Sequence, residues 1–267
     1  MIKYCRYIIN DVIKYGRVED NEIFTLEKEP WYNGKETGET ISLSKVRILS
    51  PSEPKVIIGL GDSYSTAWEG KDPPRSVRWF IKPPGSAASW NDDILLPAVL
   101  NEVKVEVELV IVIGSITKNV SEEEADNSIF GYTIGNDIVG TTDSYYRMTK
   151  EKTEYHEKLL ATGLKICDGF APLGPFVYKD ITWHDKTGKL IIIDKKGNQR
   201  IIYENPFAGL LYSPAKIVSD LSKVLTLFPG DVIMTGTTRS FPAHPGETVA
   251  VTVDGMGLLK NKIKVFE

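Results

Sequence analysis

The chain has 267 residues, of which 42% are hydrophobic and 25% charged, and its formal net charge is −4. This composition is ordinary for a globular protein that buries a full core in one large domain, or in one domain with a small appendage. The mildly acidic balance argues against nucleic acid as the main partner, because phosphate-binding surfaces need a concentrated excess of lysine and arginine.

The first elements predicted along the chain are short β-strands. Residues 1–50 alternate apolar and polar positions around turn residues, which predicts antiparallel strands. Pro51 and Pro54 mark a junction after them. We therefore expect a small N-terminal β domain over residues 1–52 and a catalytic domain over residues 53–267.

The larger domain is also rich in predicted strands, with few helices. Strands are predicted at 55–60, 79–82, 103–113, 130–139, 189–194 and 199–203, and helices at 121–129, 141–164 and 213–225. The helix at 121–129 opens on a capping-box pattern, and a serine followed by proline caps the one at 213–225. With no βαβ alternation, the pattern favours a mostly β, α+β fold with a barrel-like or roll-like core.

The sequence gives little indication of disulfide bonding, secretion or membrane insertion. Two cysteines, Cys5 and Cys167, stand far apart in sequence, which favours reduced thiols in a cytoplasmic protein over a disulfide framework. The N-terminus lacks the apolar block of a secretory signal, and no stretch reaches the roughly 20 apolar residues that cross a bilayer. We expect a soluble protein with no membrane partner.

Two glutamates, Glu106 and Glu108, lie two positions apart in the strongest predicted strand. Residues i and i+2 share one face of a strand, so both carboxylates point the same way while Val105 and Val107 face the core. Buried together they would repel each other unless they are solvated, paired with lysine or arginine, or bridged by a cation. Asp137, at the end of a later strand, adds a third carboxylate. Such hard oxygen ligands suit Mg²⁺ or Mn²⁺, with Ca²⁺ as a further candidate, rather than Zn²⁺ or Cu²⁺.

Five segments carry a resemblance to a known family: VEVELVIVIG, FGYTIGNDI, KICDGFAPLGPFV, LFPGDVIMTGTT and VDGMGLLKNKI. Their order and rough spacing resemble those of the fumarylacetoacetate hydrolase family, and APLGP and PGDVIMTGT are the most specific. The resemblance implies a mixed β-roll, a homodimer, and Mg²⁺ or Mn²⁺ held by Glu106, Glu108 and Asp137.

The same resemblance nominates residues around the metal. It places Lys165 nearby as a catalytic group, whose ammonium would stabilise negative charge growing on a substrate carbonyl oxygen. It also implies that Gly236 and Thr237 contact a substrate carboxylate, and that Lys82 adds positive charge to the substrate site. The alternative for Lys165 is a surface lysine, and the alternative for Gly236 and Thr237 is a plain tight turn. For Lys82 the alternative is a structural lysine.

Two departures from the family pattern concern the substrate side of the site. Hydrolytic members carry a lid histidine and glutamate, but GLGDSYSTAWEG contains no histidine. Glu69 is therefore the catalytic candidate there, and Asp62 is a substitute base unless it only caps the loop. Thr141 stands where the family has an arginine, which makes Arg147 the candidate replacement for binding substrate. His244, a few residues after TGTT, is a further candidate, with a surface role as the alternative.

These patterns predict a Mg²⁺- or Mn²⁺-dependent hydrolase or lyase whose small-molecule substrate is a 2-oxo acid or an acylpyruvate-like 1,3-dicarbonyl compound. Hydrolysis of a C–C bond, decarboxylation, isomerisation and dehydration all remain open, and the missing lid histidine argues most against hydrolysis. The alternative is a catalytically reduced relative that binds metal and oxo acid without turnover. An unrelated sugar- or nucleic-acid-binding β protein is a third hypothesis, and it predicts metal-independent ligand binding.

Overall fold

The structure is a computed structural model that describes residues 1–98, 100–141 and 164–266. The described residues form a mostly β, α+β fold, which confirms the predicted fold class. None of their helices is long and apolar enough to cross a membrane. The predicted helix at 141–164 falls almost entirely on residues 142–163, outside the described part of the chain.

The elements are numbered in chain order. The strands of the first half are β1 Ile2–Ile9, β2 Val12–Glu19, β3 Glu22–Leu26, β4 Glu36–Ser42, β5 Arg47–Ile48, β6 Ile57–Gly61, β7 Arg78–Lys82, β8 Ala87–Ala88, β9 Asp93–Leu96, β10 Val103–Val105, β11 Val107–Ile113 and β12 Ile129–Asn136. Those of the second half are β13 Val139–Gly140, β14 Ala171–Pro172, β15 Val177–Lys179, β16 Thr187–Ile193, β17 Gln199–Pro206, β18 Val232–Met234, β19 Phe241–Ala243, β20 Thr248–Val253 and β21 Leu258–Val265. The helices are α1 Glu122–Ser128 and α2 Pro214–Val224.

Four sheets organise these strands. An 11-stranded sheet runs in the order β4-β3-β2-β1-β15-β12-β11-β18-β6-β7, with β5 also paired to β1. A five-stranded sheet has the order β17-β16-β20-β21-β9, a three-stranded sheet the order β13-β10-β19, and β14 pairs with β8. The N-terminal strands thus extend the large sheet through the β1–β15 pair. The domain boundary at residue 52 stays a prediction.

Local sequence signals fix several of these elements. Ser121 caps α1 through a capping box with Glu124, and the Ser213 hydroxyl accepts a hydrogen bond from the Lys216 N–H at the start of α2. The hairpin of β16 and β17 forms around the predicted KKGN turn. Each of these local predictions is confirmed.

The single strand predicted for 103–113 is divided in two, which corrects that prediction. Residues of β10 pair with β13 and β19, whereas β11 pairs with β12 and β18 in the large sheet. The chain passes from one sheet to the other at Glu106, whose N–H donates to the side-chain oxygen of Asn136 at 3.0 Å instead of to a backbone carbonyl of a neighbouring strand. The glutamate therefore lies at a junction between two sheets.

Strand β11 is buried on both faces. Its odd-numbered residues pack into the main core, while Val110 and Val112 pack into a second apolar cluster with Met234. Glu108 shares the second face and is 0% exposed. The solvated outer face considered for the two glutamates is therefore excluded for Glu108.

Candidate metal centre

Three acidic side chains meet where β11 begins and β12 ends. Antiparallel pairing sets Val107 opposite Asn136, so Glu106 and Glu108 flank the start of β11 and Asp137 directly follows β12. The Asp137 N–H donates to the Glu106 carbonyl oxygen at 3.2 Å, which extends the strand pairing by one step. Sheet register thus brings the distant aspartate to the glutamates.

The three carboxylates form one cluster, as the sequence predicts. One oxygen from each of Glu106, Glu108 and Asp137 lies within 4.8 Å of the other two. Glu108 and Asp137 are fully buried, whereas the Glu106 side chain keeps 16% of its surface exposed. The cluster therefore opens outward on its Glu106 side.

Two lysines hold the cluster together. The Lys82 ammonium, which is itself fully buried, pairs with Asp137 Oδ1 and donates to the Ile138 carbonyl at 3.2 Å. Lys165 pairs with Asp137 Oδ2, and its Nζ lies 3.7 Å from Glu106 Oε2. Three carboxylates against two ammonium groups leave a negative balance when all five groups are ionised, which favours a cation.

Burial and mutual repulsion shift the pKa values of the acids. Burial, and then the charge of Asp137, raises the pKa of Glu106 to about 7. The same causes, with the Glu106 charge added, raise the pKa of Glu108 well above its ordinary value. Burial alone would raise the pKa of Asp137, but Lys82 and Lys165 outweigh burial and lower it. Asp137 is thus the permanent anion of the cluster.

The hydrogen bonding of the two Glu108 oxygens tests whether a hard cation fits into the acidic cluster. Its Oε2 accepts a hydrogen bond from the Gly236 N–H at 2.7 Å, but its Oε1 is buried with no hydrogen-bond partner among the described residues. A buried polar atom left unpaired costs about 1–3 kcal/mol, and more when it is charged. Coordination of a cation by Oε1 would remove that cost, and both oxygens of Asp137 keep a second lone pair beside their lysines. Three carboxylates suit Mg²⁺ or Mn²⁺.

Gly236 is required for this arrangement. Its φ is +86°, a conformation that favours glycine, and a Cβ there would lie 2.2 Å from the Ser63 hydroxyl oxygen. Its N–H already donates a hydrogen bond to Glu108 Oε2. Its predicted contact with a substrate carboxylate stays a prediction.

A cavity of about 250 Å³ opens beside the cluster. The described residues that line it are Leu60, Gly61, Asp62, Phe80, Glu106, Lys165, Thr237, Thr238, Arg239 and Ser240. It is smaller than the roughly 300–1,000 Å³ typical of pockets for drug-sized ligands, which suits a small metabolite. The exposed edges of Glu106 and Lys165 therefore face a space where a small acid can bind.

The other predicted residues lie in different places. Thr237 lines the cavity, and Glu69 lines an adjoining cavity of about 450 Å³ that shares Thr238 and Arg239 with the first. Lys82 contacts Asp137 and is absent from the cavity lining. Arg147 lies outside the described residues. The catalytic role of Glu69 and the substrate-binding roles of Thr237, Lys82 and Arg147 stay predictions.

Asp62 and His244, the other groups considered for the site, have partners elsewhere. Asp62 lines the cavity, but its carboxylate forms an ion pair with Arg78. His244 is 51% exposed and lies between Glu102 and Glu247, at 3.1 and 3.4 Å. Among the described residues, no histidine lines the cavity.

Six of the cavity residues were not predicted from the sequence, and two of them, Phe80 and Arg239, bear on the chemistry of the site. The Phe80 ring lies with its centroid 4.7 Å from the Lys165 ammonium, a cation–π contact. Phe80 precedes Lys82 by two positions in β7, so the period-2 rule could have placed both at the site. Arg239 lies two residues past Thr237, in the loop after TGTT, where no periodic pattern exists to reveal it.

The raised pKa values predict that metal binding depends on pH. Metal binds deprotonated carboxylates, whereas burial and the neighbouring charges raise the pKa of Glu106 to about 7 and shift the pKa of Glu108 in the same direction. Mn²⁺ affinity should therefore rise between about pH 6 and pH 8, roughly tenfold per pH unit for each proton displaced. Calorimetry in two buffers of different ionisation enthalpy measures affinity and proton release together. Constant affinity without proton release would contradict this prediction.

Comparisons with known proteins cover nearly the whole chain. The family described as fumarylacetoacetate (FAA) hydrolase C-terminal matches residues 59–264, and the one described as Rv2993c-like, N-terminal matches residues 2–51. Protein Rv2993c of Mycobacterium tuberculosis is 30% identical over 230 residues, which cover 85% of this chain and 82% of that protein.

Solved structures match over the same extent. A 5-carboxymethyl-2-hydroxymuconate delta-isomerase from Mycobacterium smegmatis is 29% identical with a TM-score of 0.84, covering 99% of this chain and 100% of its own. A 2-hydroxyhepta-2,4-diene-1,7-dioate isomerase from Mycobacterium marinum is 27% identical with a TM-score of 0.83, covering 99% of both chains. The similarity therefore extends over the N-terminal strands and the acidic cluster alike.

Proposed function

The chain belongs to the fumarylacetoacetate hydrolase family, and from this membership we propose that it is a divalent-metal-dependent enzyme that isomerises or decarboxylates a small 2-oxo acid. The observation that carries the proposal is the cluster of Glu106, Glu108 and Asp137 beside a small cavity. The Glu108 oxygen that has no hydrogen-bond partner in the described part of the chain supports a cation in the cluster.

The proposed cofactor is Mg²⁺ or Mn²⁺, held by the three carboxylates. When bound, such an ion acts as a Lewis acid toward a carbonyl oxygen. Lys82 and Lys165 keep Asp137 ionised, and Lys82 fixes the orientation of that carboxylate from inside the core. The protein thus prepares the ligand set before substrate enters.

Lys165 is the proposed catalytic residue. Burial would lower the pKa of its ammonium, but the neighbouring carboxylates of Asp137 and Glu106 outweigh burial and raise it. The group therefore stays charged at neutral pH while part of its surface faces the cavity. A fixed positive charge in this position stabilises negative charge that develops on a substrate oxygen.

The choice of reaction rests on the residues around the cavity. Hydrolysis needs a base that activates water, and the histidine expected for that task is absent from the described lining. Isomerisation of an enol moves one proton from oxygen to a carbon of the same molecule. Decarboxylation releases CO₂ and takes up one proton. Neither uses an activated water, and the names of the two similar solved isomerases support the first.

A substrate panel with and without metal tests the proposal. We expect Mg²⁺ or Mn²⁺ to support turnover of 2-hydroxymuconate-type dienoates or of oxaloacetate, with acylpyruvates and 2-oxo-3-deoxy sugar acids turned over more slowly. A chelator should abolish the activity. Absence of metal-dependent turnover across the panel would overturn the proposal, and metal-dependent binding of oxalate without turnover would favour the catalytically reduced alternative. We also propose a cytoplasmic homodimer, for which sedimentation analysis tests the oligomeric state.

A further inference from the structure

We infer that Arg239 binds a second carboxylate on the substrate, so that the site selects oxo acids with an anionic group remote from the metal-binding end. This inference deepens the proposed function and rests on it. Arg239 lines the cavity beside Glu106 and Lys165, and it also lines the adjoining cavity of about 450 Å³. It therefore lies where a substrate that extends away from the acidic cluster would pass.

The charge pattern of the cavity singles out this arginine. Lys165 is paired with Asp137, and the Asp62 carboxylate is paired with Arg78. Among the described residues, no carboxylate lies within 4.0 Å of the Arg239 guanidinium, which is exposed. Arg239 thus offers an unpaired positive charge to a bound anion.

The backbone around Arg239 is anchored at both ends. Before it, the Thr235 N–H donates to the Leu109 carbonyl oxygen at 3.0 Å, beside the metal cluster. The neighbouring Thr238 shares a hydrogen bond with the Tyr203 hydroxyl. After it, Phe241 begins β19 and packs on the Tyr203 ring with 5.1 Å between centroids. The backbone at Arg239 is therefore held in place on both sides, so its side chain extends toward the cavities from a fixed point.

The chemistry of the two ends then defines the substrate class. The acidic cluster and Lys165 suit the oxo-acid end, whose oxygens carry negative charge. A guanidinium presents parallel N–H donors that match a carboxylate in a bidentate pair, and the polar residues Thr238 and Ser240 line the same cavity. A 2-oxo dicarboxylic acid satisfies both ends, whereas a 2-oxo acid with an apolar tail leaves Arg239 without a partner.

Matched pairs of ligands test the inference by binding. Calorimetry with Mg²⁺ compares 2-oxoglutarate with 2-oxopentanoate, and 2-oxoadipate with 2-oxohexanoate, in which only the remote carboxylate differs. We expect the wild-type protein to bind the better dicarboxylate about tenfold more tightly than its partner, the lower range for a charge-assisted hydrogen bond. Arg239→Gln should reduce this preference to near unity, and Arg239→Lys should retain part of it.

Arg47→Gln is the matched control, because Arg47 is also exposed and lies on β5, paired with Asp92. It should leave the preference unchanged. Equal wild-type affinity for both members of each pair, or an undiminished preference in Arg239→Gln, would overturn the inference. A preference that depends on Arg239 in a protein without turnover would instead refute the proposed reaction and leave this inference standing.

Discussion

Glu108→Gln should reduce Mn²⁺ affinity by about 100-fold or more and stabilise the metal-free protein. The amide can no longer act as an anionic ligand for a hard cation. In the metal-free protein it also removes a buried acid whose Oε1 has no described partner and whose charge is repelled by Glu106 and Asp137. The Gly236 hydrogen bond survives, because the amide oxygen can still accept it.

The sign of the stability change follows from the raised pKa of Glu108. Between its unfolded and folded pKa values the folded state binds more protons, so the wild-type protein loses stability as pH rises through that window. The Glu108→Gln variant has no carboxyl to ionise at this position, so it does not lose stability in this way as pH rises. Its advantage should therefore be larger at about pH 8 than at about pH 5, with a gain of roughly 1–2 kcal/mol, or about 2–6 °C in melting temperature.

Thermal unfolding with and without Mn²⁺ measures both effects of Glu108→Gln. Wild-type protein should gain stability on adding Mn²⁺, whereas the variant should not respond. Glu204→Gln makes the same chemical change at an exposed strand position and should behave as the wild type. A variant that binds Mn²⁺ normally, or that is less stable without metal, would show that Glu108 is not a buried metal ligand.

Lys165→Met should lower kcat by about 100- to 1,000-fold while leaving Mn²⁺ binding intact. Removal of one preorganised group that stabilises developing oxyanion charge has an effect of this size. Methionine keeps the unbranched apolar body of the side chain beside Phe80 and removes only its charged end. Because the lost ammonium pairs with Asp137 and lies near Glu106, its removal should tighten metal binding slightly rather than weaken it.

Separate measurements of turnover and metal affinity distinguish catalysis from structure for Lys165. Lys104→Met, at an exposed position of β10, removes the same charge away from the cavity and should retain wild-type turnover. Wild-type kcat in Lys165→Met would show that the lysine only pairs with the acidic cluster. A joint loss of metal binding and turnover would show that it maintains the ligand set.

The sequence predicts the parts of this site that depend on short-range patterns. Glu106 and Glu108 are two positions apart at a strand, and Asp137 follows a strand end, so alternation and a hard-ligand argument suffice to nominate them. The helix caps at Ser121 and Ser213 form as predicted because their hydrogen bonds join residues three apart. Such signals depend on a few neighbouring residues and survive whatever the tertiary fold is.

Long-range features left no such signal. The apolar–polar alternation from Val103 to Leu109 runs through Glu106 without interruption, so nothing in it marks the passage between two sheets at that residue. Lys82 is 55 positions from Asp137, and their pairing depends on β7 being next to β6 at one end of the large sheet. Arg239 reaches the cavity from an irregular loop. These placements depend on sheet order, which single-sequence patterns do not encode.

The central claim is that one hard cation binds between Glu106, Glu108 and Asp137 and leaves room for an oxo acid in the adjoining cavity. Anomalous diffraction from crystals soaked with Mn²⁺ and oxalate tests it most directly. We predict one manganese peak per chain within coordination distance of all three carboxylates, with oxalate on its open side facing Lys165. Crystals that show no peak there, with Lys82 and Lys165 still neutralising a closed acidic cluster, would contradict the claim.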